Sequence, residues 1–255
     1  MIIDTHAHLN FRAFDGDRDE AIKRCQENNI VVVNVGTDLE TSKKAVEIAE
    51  NNEGMYAAIG LHPIHAKDED FLTLEYESLW NSHSGRIVAI GEIGLDYFKD
   101  YGKFKEKQKE VLLEQLGLTK ELDLPVILHC RMAHEDLTEI LKKQRTVDNE
   151  QLRGVIHCFT GSWKEARQYL EMGFYLGMNG IMFKFDLEEV IKKTPLDRIV
   201  IETDSPYLTP PQTGVERNEP IYLKYVINHI AKIKGLGSEE VSSATTQNAK
   251  TLFNI

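Results

Sequence analysis

The constraint that most limits this chain is an eightfold alternation along its length. Short apolar runs at 2–8, 30–35, 55–61, 87–92, 125–130, 153–158, 174–178 and 198–203 read as strands. Amphipathic stretches at 17–28, 40–51, 70–82, 103–122, 133–145, 163–172 and 186–194 separate them, and helix-like segments at 219–235 and 238–248 close the chain. Strands that alternate with helices build parallel β-α units. The runs are apolar nearly throughout, as strands buried on both faces must be. Eight such units in 255 residues predict an α/β fold, the (β/α)8 TIM barrel, as a single domain over residues 1–255. A doubly wound open sheet is the alternative. It would hold the first and last strands apart, whereas the residues that suggest chemistry recur on both.

Those residues sit at the ends of the runs. The first reads Ile2-Ile3-Asp4-Thr5-His6-Ala7-His8, and alternate strand residues share a face, so His6 and His8 project together. Glu92, His129, His157 and Asp204 each end or directly follow a later run. Parallel barrels carry their chemistry at the C-terminal ends of their strands. Imidazole nitrogens and carboxylate oxygens together suit divalent metal ions. Four histidines and two carboxylates exceed the needs of one tetrahedral ion and match two ions sharing a bridging carboxylate. The expected partition puts His6, His8, Glu92 and Asp204 on one ion, and Glu92, His129 and His157 on the other. Candidate ions are Mg2+, Mn2+ and Zn2+, with the choice left open. Asp204 and Glu92 are the expected catalytic residues, Asp204 as the base that takes a proton from water. Glu202 is expected to support a ligand histidine.

His62 ends strand three on the same rim and is expected to meet substrate, at a phosphate. His65, His83, His134 and His229 are expected at the surface. Lys99, Lys103, Lys105, Lys107 and Lys109 follow strand four and read as a solvated helix start, with a polynucleotide contact as the alternative. Cys130 and Cys158 each follow a candidate ligand, so alternation turns both away from it, and both are expected to be packed beneath helices. Cys25, Cys130 and Cys158 form no CxxC pair, which suits a reducing compartment and a cytoplasmic protein.

A formal net charge of −11 argues against a protein that coats nucleic acid, because phosphate binding relies on Lys and Arg. It leaves room for a nuclease whose metals meet the backbone. No apolar run reaches the ~18 residues of a membrane span, and the N-terminus lacks a signal-peptide pattern. Nothing in the chain calls for a membrane or an obligate protein partner.

Five ordered segments are similar to the signatures of the TatD-type deoxyribonucleases of the amidohydrolase superfamily: IIDTHAHLN at 2–10, GEIGLDY at 91–97, LPVILHCR at 124–131, GVIHCFTGS at 154–162 and PLDRIVIETDSPYL at 195–208. The resemblance implies a (β/α)8 barrel with His6, His8, Glu92, His129, His157 and Asp204 as ligands of two metals. It implies hydrolysis of DNA phosphodiesters, as a 3′-to-5′ exonuclease acting on single strands or 3′ ends. It further implies a phosphate-holding loop after strand eight, where Arg217 is kept and Glu216 replaces the usual lysine in Gly-Val-Glu-Arg-Asn-Glu-Pro at 214–220. A rival keeps the metals and changes the bond, to an esterase or deacylase acting on a small ester, lactone or aminoacyl-tRNA. Many such relatives bridge their metals through a modified lysine on strand four, where this chain has Glu92.

Overall fold

The computed structural model describes residues 1–148 and 152–255. Its eight strands are β1 (Ile2–Ala7), β2 (Ile30–Val35), β3 (Met55–Ile59), β4 (Ile87–Asp96), β5 (Val126–Arg131), β6 (Gly154–Ile156), β7 (Tyr175–Met178) and β8 (Ile199–Ile201). All pair in parallel and in sequence order. The connecting helices are α1 (Arg18–Glu27), α2 (Leu39–Asn51), α3 (Thr73–His83), α4 (Lys105–Glu121), α5 (His134–Asp148), α6 (Trp163–Glu171) and α7 (Glu188–Lys193). Helices α8 (Leu223–Lys234) and α9 (Ser238–Phe253) end the chain. This is the (β/α)8 barrel.

The seam between β8 and β1 is closed just beyond the last strand. Ala7 bridges Ser205 in parallel, the His8 amide donates to Ser205 O at 2.7 Å, and the Asp204 amide donates to His6 O at 2.8 Å. The seam therefore runs through candidate metal ligands. No helix among the described residues is long and apolar enough to cross a membrane.

The apolar residues divide into two clusters, as a closed sheet wrapped by helices requires. Ile3, Val33, Val35, Ala58, Val88, Ala89, Ile127, Val155 and Val200 fill the barrel interior. Leu252 and Phe253, at the end of α9, join that interior cluster and plug the N-terminal end of the barrel. The larger cluster lies between the strands and their helices. Helix α2 shows how local sequence sets a boundary. Asp38 accepts from the Thr41 amide while Thr41 Oγ1 accepts from the Asp38 amide, a reciprocal cap that starts the helix there.

The main departure from the predicted elements is β4, which continues to Asp96 and is buried along all ten residues. Strands β6 and β8 are shorter than predicted. His8, His62, His157 and Asp204 consequently lie just past their strands, on the loops of the C-terminal rim.

Candidate metal centre

Strand parity delivers the site. In β5, β6 and β8 alternation is regular. Ile127, Val155 and Val200 point inward, so His129, His157 and Glu202, two residues further on, point inward as well. β1 and β4 need a correction. Ile3 faces the interior but Ala7 faces the helices, and the register of β1 slips between Asp4 and Ala7. That slip puts His6 and His8 on the inner face. β4 slips likewise between Ile90 and Ile93, which turns Glu92 and Asp96 inward while Ile93 and Leu95 pack outward. Irregularities of this kind re-aim side chains next to functional sites. Gly94 is required there, since its φ of +140° is closed to side chains and a Cβ would stand 2.0 Å from His129 O.

The six candidate ligands converge. His6 Nε2 and His8 Nε2 are 3.1 Å apart, and Glu92 Oε2 lies 3.3 Å and 3.8 Å from them. Asp204 Oδ1 is 3.4 Å from His8 Nε2 and 3.9 Å from His6 Nε2. The other oxygen of Glu92 serves a second group: Oε1 is 2.8 Å from His129 Nδ1, 3.2 Å from His62 Nε2 and 3.4 Å from His157 Nε2. One buried carboxylate thus presents one oxygen to each of two histidine clusters. Three overlapping donor sets lie within cation reach: His6, His8 and Glu92; His6, His157 and Asp204; and His62, Glu92 and His129.

The donor chemistry fits divalent cations. His8 Nδ1 is 2.8 Å from Val35 O and can only donate to it, so the neutral ring turns a lone pair on Nε2 toward His6. Glu202 Oε1 accepts from the Cys158 amide at 2.7 Å and from Asn179 Nδ2 at 2.9 Å, and contacts His157 Nδ1 at 2.9 Å. Asp96 Oδ2 holds His129 Nε2 at 3.1 Å. Each of these outer groups fixes a ring whose other nitrogen faces the centre.

Burial opposes charge on Glu92, yet His62, His157 and His6 outweigh it and hold the carboxyl well below its ordinary range. Burial opposes charge on the half-buried Asp204 as well, yet His8, His157 and His6 hold its carboxyl below its ordinary range. Burial drives His62 down to about 4 and lowers His6. Burial likewise opposes protonation of His157, but Glu202 and Glu92 prevail and raise it to about 10. The carboxyls are held toward the ionised form and the His62 and His6 rings toward the neutral form that binds cations, whereas His157 and His129 are raised, so a cation entering there would displace their protons.

Several residues lie elsewhere than the sequence predicts. His62 stands inside the donor cluster on Glu92, as well as lining the cavity that opens over it. Arg217 does not reach that cavity. Its guanidinium is spent on Asp17 at 2.6 Å, Glu219 at 2.9 Å and the Ala13 carbonyl at 2.8 Å, and it lies over the Phe14 ring, so it ties down the loop after β8 instead of offering free donors to phosphate. Cys130 is buried beside Tyr169, on the helix side. Cys158 breaks alternation: with a φ of +46° it lines the cavity, its thiol 3.7 Å from Asn179 Oδ1. His65, His83, His134 and His229 are half-buried instead of exposed; His134 packs its Nδ1 3.0 Å from the Tyr169 hydroxyl. Asp96 and Asn179, which contact His129 and Glu202, are not among the residues expected from sequence. Asp96 had a signal, since it repeats the strand spacing of Glu92 two steps later; Asn179 had none.

The cavity over the centre has a volume of about 800 Å3 and is walled by Phe11, Phe98, Tyr101, Arg131, Phe185 and Tyr207 around the ligands. The family model for TatD related DNase matches residues 3–254. The chain belongs to the TatD family. It is 44% identical to an uncharacterized metal-dependent hydrolase, YabD, of Bacillus subtilis, over the full length of both. It is 34% identical to a 3′-5′ ssDNA/RNA exonuclease TatD of Cronobacter sakazakii, covering 99% of this chain and 97% of that one. The crystal structure of the TatD homolog YjjV from Escherichia coli superposes with a TM-score of 0.91 at 31% identity, covering 100% of this chain and 98% of that one. This TatD-family chain is a metal-dependent hydrolase.

Proposed function

We propose that this enzyme uses two divalent ions to hydrolyse phosphodiester bonds of DNA, releasing nucleotides from the 3′ end of a single strand. The observation that carries the reading is the split of Glu92 between two histidine clusters, which is what a pair of ions sharing one carboxylate requires. His6, His8 and Asp204 would hold one ion, His62, His129 and His157 the other, with Glu92 common to both. The names of relatives described as 3′-5′ ssDNA/RNA exonucleases support the choice of bond.

Bound ions would polarise a phosphoryl oxygen and acidify water in the site. Asp204, ionised and at the edge of the cavity, accepts the proton of the attacking water. Glu202 and Asp96 act through their histidines, holding the His157 and His129 rings in register.

The test restores Mg2+, Mn2+ and Zn2+ in turn to chelated protein and follows a 5′-labelled single-stranded oligonucleotide beside a panel of esters and lactones. Stepwise loss from the 3′ end is expected. Asp204→Asn should lower kcat by about 10²- to 10⁴-fold. Turnover of esters or lactones with the oligonucleotide left intact would assign the site to the rival chemistry.

A further inference from the structure

Arg131 ends β5 two residues after His129, so it shares the inward face and reaches the rim of the metal cavity. Its guanidinium lies 3.7 Å from the centroid of Phe98, which lines the same cavity. Lys99 Nζ lies 5.0 Å from that ring too. Neither cation makes a direct ion pair among the described residues, although Asp96 feels the charge of Arg131 and Asp100 that of Lys99. Their neighbours differ: Lys103 is paired with Asp100 at 2.5 Å, Lys107 with Asp70 at 2.5 Å, and Lys109 with Asp136 at 2.9 Å. In a chain of net charge −11, two cations without a direct ion pair thus lie against one aromatic ring of the cavity wall, Arg131 on the wall itself and Lys99 next to Phe98 in sequence.

The opposite wall has another character. Phe11 follows β1 and Tyr207 follows β8, across the barrel from β4 and β5. Phe11 stacks on His8 at 4.2 Å and meets Tyr207 edge-on at 6.4 Å, while Tyr207 remains 55% exposed. Both rings line the cavity over the metal centre, Tyr207 exposed and Phe11 half-buried. Cations on one wall and rings on the other match a polymer with charge along its backbone and flat bases on its side.

Building on the phosphodiesterase reading, we propose that Arg131 and Lys99, held against Phe98, bind a phosphate flanking the scissile one, while Phe11 and Tyr207 stack bases of a single-stranded polynucleotide. The two walls have separable signatures. Loss of a phosphate-binding cation weakens binding and flattens its salt dependence; loss of a stacking ring weakens binding and leaves the salt slope alone.

The experiment loads the full-length protein with Mn2+ and measures anisotropy of a short fluorescein-labelled oligothymidylate with phosphorothioate linkages, across a salt series. Arg131→Ala and Lys99→Ala should each weaken binding about ten-fold and reduce the slope of log affinity on log salt by about 0.7. Arg131→Gln keeps a polar side chain without the charge and should show the same loss of slope, which separates charge from a packing defect. Phe11→Ala combined with Tyr207→Ala should weaken binding at an unchanged slope. Wild-type affinity and slope in Arg131→Gln, in a protein that still degrades unmodified oligonucleotide, would overturn this assignment alone. A wild-type protein that neither binds nor degrades the oligonucleotide would overturn the polynucleotide reading and this assignment with it.

Discussion

Asp96 touches no other candidate ligand than His129, yet it fixes that ring from behind at 3.1 Å while Glu92 faces the other nitrogen at 2.8 Å. Asp96→Asn should therefore weaken divalent metal binding by about ten- to a hundred-fold without unfolding the barrel, as isothermal titration beside a thermal melt can show. Gly177 offers a complementary case. A Cβ there would stand 2.5 Å from Glu202 Oε2, so Gly177→Ala should displace Glu202 from His157 and lower both metal affinity and Tm. His6, His8, Glu92, His129, His157 and Asp204 were legible as candidates because each ends or closely follows an apolar run in the sequence, although Glu92 proves to lie inside β4, four residues before its end. His62 was visible as a rim residue, but its place on Glu92 depends on the distance between β3 and β4 across the sheet. Arg217 shows the opposite limit: a cation in a phosphate-like loop cannot be read as free until its partners are known. Asp17 and Glu219, which neutralise it, lie 200 residues before it and two after.

At the scale of elements, the loop after β8 is moored to α1 and the turn before it. Arg217 and Arg24 meet Asp17 and Glu219 there. The Asp17 carboxyl is held below its usual range, first by Arg217 and then by Arg24. A lowered folded pKa means that the contribution is complete above the unfolded value of about 3.9 and is lost as pH falls through the folded one. Asp17→Asn should thus lower Tm near neutral pH, with the gap to wild type closing below about pH 4. The effect should be small, since Asp17 is partly exposed and solvent screens the pair. Helix α9 makes a larger contribution. Phe253 is buried in the interior cluster at the end of the barrel away from the metals, so Phe253→Ala should cost about 3–5 kcal/mol by denaturant titration while the metal affinity stays as it was. The eight strands were readable because buried parallel strands are uniformly apolar. The slips in β1 and β4 were not, because a one-residue change of parity leaves the composition of a strand intact while reversing which side chains face the centre.

For the molecule as a whole, the metal centre and the closure of the barrel are one structural problem. β8 has three residues, and its junction with β1 is held by the Ala7–Ser205 bridge, the two backbone hydrogen bonds beside it, and Thr5 Oγ1 on Ile201 O at 3.1 Å. Asp4 adds a buried clasp, accepting from the Thr203 amide at 2.9 Å and the Thr203 hydroxyl at 2.6 Å. Asp204 on one side of this seam and His6 and His8 on the other share a donor cluster with Glu92 from β4. A cation held there would tie both sides of the seam to the far wall, and ions that bind only the folded state stabilise it by mass action. At a free ion concentration a hundred times its dissociation constant the gain is about 2.7 kcal/mol. For a chain of this size that corresponds to roughly 5–11 °C in Tm, using about 2–4 °C per kcal/mol. Chelation should lower the melting temperature by an amount in that range. Hydrogen exchange should then accelerate at the His8 and Asp204 amides of the seam. The amides of α9 at the opposite end of the barrel should exchange as before. Equal acceleration at both ends would show that the ions act on global stability alone, and an unchanged seam would show that closure does not depend on them.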